Sequence, residues 1–447
     1  MKLAVLWNSA RSQLWFIPGL LVALALGLAW FLPWLDTRWD LPRSTWWFSG
    51  DAGAARLVLS TIAGSLITVV SLAFSVTILV LQQASTQYSP RVVVHFLRYW
   101  GSQVVLGAFI GTFLYSLLVL RRVRGDENGA GEFIPEIATT ASIVFATVCA
   151  GLLAFLLHQT SMSLQVAVVT KRIRQDAERA LDRVYPGGDQ REVEYVSYDM
   201  FRERTAFGHV TPIRAETSGY LTWVDEPKFT KHSDGVDWVA VLPCGGAFCA
   251  RGDVIIELGG SRPNETEIEG LRSSVKISTE RSLDADPLFG VRQLVDIGLR
   301  ALSPGINDPT TAQYAVDQLQ ILLITSAERP MGPQLRVVGR PGRKPTQLWL
   351  NHPTFKEFVE LAYDQIRSAA APHPAVLSTL LEGLERLGGS CRNEEQLNVL
   401  RTQLAAVEAE LDQGELVMLD RRRVSEKLEH VRWRLATGSV RRHDRED

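Results

Sequence analysis

The chain has 447 residues, with 47 Lys and Arg against 49 Asp and Glu, a formal net charge of −2 and 46 % hydrophobic residues. That length accommodates two or three domains, and a near-neutral balance excludes a general nucleic-acid binder, which needs a basic excess or a basic face. The apolar residues crowd into the first third, and the remainder has the composition of a soluble protein.

A membrane span needs about 20 apolar residues to cross roughly 30 Å of hydrocarbon. Four segments meet or approach this, at 14–34, 57–81, 104–120 and 137–157, and all are free of charged residues. Trp15, Trp30, Trp34, Trp46 and Trp47 gather around the first, as expected where an indole can sit at the lipid–water boundary. Lys2 and Arg11 precede this run as in a secretion signal, but the run is too long and LAWFLPWLD lacks a small-residue cleavage site, so a retained span is expected. Lys2, Arg11, Arg91, Arg98, Lys171, Arg172, Arg174, Arg179 and Arg183 flank one side. Arg38, Arg43, Arg56, Arg121, Arg122 and Arg124 flank the other. The excess places both termini in the cytoplasm.

In the second span Ser60, Gly64, Thr68, Ser71 and Ser75 recur at helical spacing and share one face. Small and hydroxyl-bearing residues allow helices to approach closely in lipid, and the same stripe can instead line a narrow polar path in a homo-oligomer. Gly107 and Gly111 form a GxxxG pair in the third span, and Ala146, Ala150 and Ala154 repeat in the fourth, which favours helix packing. A helical linker over 171–191 is expected to leave the fourth span, ending the transmembrane domain at about residue 170. His95 and His158 fall near interfaces, where capping or interfacial roles suffice.

Over 192–260 the pattern changes to short β-rich runs, with turns at Ser218-Gly219, around Pro243 to Gly246 and at Arg251-Gly252-Asp253. GAFCARGD and the glycine turn before YLTWVD resemble the barrel-sandwich fold of biotinyl and lipoyl carrier domains. No lysine stands at either expected hairpin tip, over 214–220 or 244–248, so no attached cofactor is expected. The fold class expected is therefore a four-helix α-helical membrane bundle followed by a soluble α+β region. That region comprises a small β barrel-sandwich-like domain and a mostly helical domain over 261–438, with a disordered tail over 439–447.

Within the helical domain, LDADPLFGVRQL and INDPTTAQYAV each place aspartate before proline. Aspartate accepts hydrogen bonds from first-turn amides and proline fits the first helical position, so Asp286-Pro287 and Asp308-Pro309 open two helices. Ser303, Pro304 and Gly305 stop the first. This leaves Glu280, Arg281, Asp284, Asn307, Thr310 and Thr311 available, with Asp308, for a loop that holds a small anion or polar ligand at helix N-termini. Caps and salt bridges are the plainer alternative, and antiparallel helices would put the two N-termini at opposite ends. Further on, Leu397, Leu400, Leu404, Val407 and Leu411 are followed by Val424, Leu428, Val431 and Leu435 in heptad-like steps. They predict a helical hairpin that packs either on its own domain or on another copy.

No Gly-Lys phosphate loop, GxSxG, HExxH or paired cysteine motif is present, so a non-enzymatic protein without metal is expected. Cys149, Cys244, Cys249 and Cys391 are expected as reduced thiols. His209, His232, His352 and His373 are scattered, with surface or capping roles expected. The blocks FSVTILVLQQASTQYSPRV, LGAFIGTFLYSLLVLRRV, SGYLTWVD and ERSLDADPLFGVRQLVDIGLRALSPGINDPTTA together resemble the bacterial predicted-membrane-protein family known as domain of unknown function 2254. The resemblance covers nearly the whole chain. It implies an inner-membrane protein and assigns no activity or functional residue. Channel-like permeation or membrane-linked sensing is the expected role, with a membrane-tethered enzyme or ligand-binding module as the alternative.

Overall fold

The computed structural model describes residues 16–38, 47–87, 100–125, 133–163, 165–185, 193–205, 209–233, 235–260, 263–283, 286–339, 342, 344–414 and 416–437. The chain divides into two compact units, 1–165 and 166–447.

The first unit holds four helices long and apolar enough to cross a membrane: α1 (Phe16–Arg38), α2 (Ala52–Gln87), α3 (Trp100–Leu120) and α4 (Glu136–Ser163). Helix α3 is the centre of the bundle. Half of its apolar window is buried, against 17–22 % for the other three, because α1, α2 and α4 all pack against it. Helix α2 runs for 36 residues, about 54 Å at 1.5 Å per residue, well beyond the roughly 30 Å of hydrocarbon. The outward surface is bulky and apolar at Leu24, Trp30, Leu57, Leu79 and Val148. In lipid such exposure needs no other explanation.

The second unit opens with α5 (Val166–Val184), which lies in the span expected as a linker. It is amphipathic and buries Val169, Ile173, Ala177, Leu181 and Val184 against two helices that follow much later in the chain, so it is a packed element of this unit. After it come β1 (Val193–Tyr195), α6 (Tyr198–Arg204), β2 (Val210–Arg214), β3 (Gly219–Val224), α7 (Glu226–His232), β4 (Val236–Val241), β5 (Phe248–Cys249) and β6 (Val254–Gly260). Helix α8 (Glu265–Arg272), strand β7 (Val275–Ser278), helices α9 (Pro287–Ala301) and α10 (Pro309–Ala327), then strands β8 (Gln334–Val338) and β9 (Thr346–Leu350) follow. Four helices complete the chain: α11 (Phe355–Ala369), α12 (Pro374–Gly388), α13 (Glu394–Gln413) and α14 (Met418–Thr437).

The strands form two open sheets, one of six strands in the order β1-β8-β9-β4-β6-β2 and one of three in the order β5-β3-β7. The closed barrel-sandwich expected over 192–260 is not what forms. Strands β8 and β9, from the region expected to be mostly helical, insert beside β4, and β9 runs parallel to it. Side chains alternate across β4 as strand geometry requires. Val239 and Val241 join a core with Ile256, Leu258 and Leu348, while Trp238 and Ala240 face the opposite side with Phe201 and Trp349. The expected α+β class holds for the unit as a whole. The C-terminal seams bury all nine expected leucines and valines, and they do so against α11 and α12 and each other, within their own unit.

Candidate functional site

Two places carry the polar residues singled out in the sequence. The first lies along α9 and α10. Both helices begin at the proline that the Asp-Pro pairs predict, with Asp286 accepting from the Phe289 amide at 3.1 Å and Asp308 from the Thr311 amide at 3.0 Å. The Thr311 hydroxyl also donates to Asp308 at 2.6 Å, and this bond, with the backbone amide, holds the Asp308 carboxyl below its usual range. Asn307 adopts a left-handed backbone at φ 49°, a conformation asparagine tolerates better than most residues. Glu280, Asn307 and Thr310 are exposed. Asp284 lies outside the described residues.

Asp286 differs from Asp308 in being fully buried. Arg281 reaches it through Nε at 2.8 Å and a terminal nitrogen at 2.7 Å and lies 5.1 Å over the Phe289 ring. Burial lifts the Asp286 carboxyl to about 6, with Arg281 opposing the shift. The pair sits under the loop after β4. Gly246 there has φ +79°, and a Cβ on it would fall 1.9 Å from the Asp286 carboxylate. Only glycine fits this position, for backbone and for space. The neighbouring Cys244 thiol is pushed up to about 12, mainly by burial and then by Asp286. Asp308 donates its amide to the Ala301 carbonyl at 2.8 Å, so it stands at the far end of the 15-residue helix α9, about 22 Å from Asp286 by helical rise. The structure thus joins Arg281 to Asp286 and Asp308 to Thr311, and keeps the two pairs apart.

The second place is in the membrane-spanning unit. Ser60, Gly64, Thr68, Ser71 and Ser75 all lie on the exposed face of α2. The opposite face, with Ala55, Leu59, Ala63, Leu66 and Ala73, is the one buried in the bundle. Each stripe hydroxyl donates to its own helix: Ser60 to Leu57, Thr68 to Gly64, Ser71 to Ile67 and Ser75 to Ser71, at 2.9–3.2 Å. Gly64 has nothing within 4 Å of where a Cβ would stand. Gly107 is the reverse. A Cβ there would meet the Pro18 backbone at 2.8 Å and Leu21 at 2.9 Å, and one on Gly111 would meet Ala25 at 3.2 Å. The glycine pair is where α1 crosses α3.

Sequence reading missed a third set, a polar seam buried between α3 and α4. Ser116 and Ser142 share a hydrogen bond of 2.7 Å, Cys149 reaches the Thr112 hydroxyl at 3.5 Å, and Tyr115 donates to the Ala138 carbonyl at 2.9 Å. At one end of the bundle Asp36 accepts from the amides of Ile137 and Ala138, capping α4 from another helix. Among the described residues no group of three or more His, Cys, Asp or Glu is gathered as a metal ion would require, and all four cysteines are free.

A family described as a predicted membrane protein, DUF2254, matches residues 11–386. The chain belongs to this family. It is also 32 % identical over 410 residues to three mycobacterial proteins, covering 89 % of this chain and 76 % of each. These are the uncharacterized proteins MT1328 and Rv1290c of Mycobacterium tuberculosis and Mb1321c of Mycobacterium bovis. No solved structure matches significantly. Family and helices together make this a membrane protein in contact with a lipid bilayer.

Proposed function

We propose that the protein is a non-enzymatic homo-oligomer of the bacterial inner membrane, with both termini cytoplasmic, in which copies of α2 surround a narrow permeation path that the soluble unit senses and regulates. One observation carries this reading: the Ser60–Ser75 stripe is turned outward, away from its own bundle. A run of small polar residues gains nothing from facing lipid, whereas against other copies of itself it allows close approach. The hydroxyl hydrogens are committed to backbone carbonyls, so the stripe presents oxygen lone pairs. Such a surface suits a cation or water rather than an anion.

Reconstituted protein is expected to pass a small monovalent cation into liposomes, and Thr68→Leu or Ser71→Leu to abolish that flux with the fold intact. A monomer in lipid, with no flux of potassium, sodium or protons, would sink the idea. A second reading, a membrane-tethered ligand-binding module acting through the 280–311 region, is favoured by the buried Asp286–Arg281 pair. It predicts that Arg281→Ala removes function in cells while leaving any flux unchanged.

A further inference from the structure

The turn between α9 and α10 lies at the same end of the second unit as the start of α5. Helices α5 and α10 run parallel: Arg174 donates to Gln318 at 2.9 Å, and further along both helices Arg329 reaches Asp182 at 2.6 Å and the Tyr185 carbonyl at 3.1 Å. Both chains advance together between these pairings, so Val166 and Pro309 begin at one level. Helix α9 returns toward that level. Gly290, near its start, packs on Ala177, and Ala301 at its end accepts from the Asp308 amide at 2.8 Å. Chain connectivity fixes what lies nearby. Helix α4 ends at Ser163 and α5 starts at Val166, three Cα steps that span no more than about 11 Å. The apolar window of α4 closes at Gln159. This end of the second unit is therefore tethered close to the lipid boundary, whatever the angle between the units.

The surface at this end is apolar where a turn in water is ordinarily polar. Ile306 is 44 %, Val168 42 % and Tyr314 46 % exposed, and Pro304 and Lys171 are exposed as well. The turn closes through the amides of Ile306 and Asn307 on the Ser303 carbonyl, at 3.0 and 2.9 Å, bonds that require no isoleucine. Single exposed apolar residues are ordinary, but three gathered where the chain leaves a bilayer match an interfacial surface. There an aliphatic side chain enters the headgroup layer, tyrosine favours the lipid–water boundary, and lysine extends its charge to phosphate along an apolar stem. We propose that this end of the second unit is a lipid contact, with Ile306 inserted between headgroups and Val168 and Tyr314 at the interface beside it. The contact continues the lipid-facing surface of the spans along the chain. It requires neither an assembly nor a particular side of the membrane, so its failure and that of the permeation reading are separate.

Quenching by nitroxide lipid in the full-length protein tests it. An environment-sensitive fluorophore on Ile306→Cys, in phosphatidylcholine nanodiscs, is compared with the same label on Glu328→Cys. Glu328 is exposed at the other end of α10, about 30 Å away by helical rise. The unsubstituted chain, whose cysteines are buried or half-buried, gives the labelling background. A nitroxide on the lipid headgroup is expected to remove most of the emission at 306, which should also be shifted to the blue, and to leave the 328 label bright. Tyr314→Cys, on the helix surface, gives the same readout if Ile306→Cys fails to fold. Blue-shifted emission at 306 that the nitroxide lipid leaves unquenched would mean that protein, from this chain or a second copy, covers the turn. Water-like emission at 306, or equal quenching at 306 and 328, would mean that this end makes no specific lipid contact. Each of these results would overturn the proposal.

Discussion

The two units solve the burial of polar groups in opposite ways. The membrane-spanning unit buries neutral hydroxyls, as in Ser116 with Ser142, and its described carboxylate contact with α4 lies at a helix end, where Asp36 caps it. The second unit buries a carboxylate outright, Asp286 against Arg281, and one ring nitrogen of the half-buried His352. In hydrocarbon an ionised side chain has no water to fall back on, so size and hydroxyl placement govern packing there. In the second unit, charge becomes usable where a partner is built in. The first unit should therefore respond to volume and the second to pH.

The largest expected effect is on pH dependence. Asp286 has its carboxyl raised from 3.8 to about 6, so the folded state holds that proton more tightly than the unfolded one. Its contribution is fully present below about 3.8 and is lost as pH rises through 6, a change of about 3 kcal/mol. His352 works in the other sense. Its ring is lowered from 6.5 to about 3, so its contribution is present above 6.5 and lost as pH falls toward 3. Between pH 4 and 6 the two slopes oppose. Urea unfolding of the second unit should be nearly flat there in the unmodified chain. Asp286→Asn should make stability fall as the pH is lowered, and His352→Phe should make it rise. Parallel profiles in all three proteins would contradict the contrast between the units.

The next effect is on volume. Gly107→Leu should destabilise the bundle by about 1–3 kcal/mol through overpacking against Pro18 and Leu21, measured as thermal unfolding in detergent. Gly64→Leu, on the open face, should change monomer stability by less than ~0.5 kcal/mol and act instead on association in lipid. Equal effects at the two glycines would mean that the exposed face of α2 is not free in the isolated chain.

The smallest effect returns to the loop before α10. Asp308→Ala should cost about 0.5–2 kcal/mol as a lost cap, and Asp308→Asn much less, since asparagine also accepts from the Thr311 amide. A full loss with asparagine would show that the Thr311 hydroxyl bond, which favours the ionised form, contributes more than the cap.

These contrasts also explain what could be read in the sequence. The four spans were legible because length and absence of charge suffice. The Asp-Pro helix starts were legible because caps are local. Which way the Ser60–Ser75 stripe faces was not. Helical spacing places five residues on one face, but small hydroxyl-bearing residues suit a packed face and an outward one alike, so nothing in the pattern distinguishes lipid from protein. For the same reason Thr112, Ser116 and Ser142 passed unnoticed as a buried seam. The sheet was half legible. Alternation marked β2, β3, β4 and β6, but the pairing of β4 with β9 joins Trp238 to Gln347, and local pattern carries no record of so distant a partner. His352, expected at a surface or a cap, is half-buried, and its surroundings depend on that same distant strand and on the end of α5.

The pairing of β4 with β9 has a consequence for biosynthesis. When the ribosome has completed β6, strands β2, β6 and β4 can already pair, since their partners lie close in sequence. The free edge of β4 must then wait for β9, which is roughly 90 residues later, or about 5–20 s at ordinary rates of translation. An unpaired strand edge is a template for joining the wrong chain. Here the preceding helices have already been made, so a nascent chain held at the membrane would keep its open edge among neighbours still being synthesised. Slowing translation between residues 260 and 350 should lengthen that exposure, and a chaperone that covers β-strand edges should matter most during that interval.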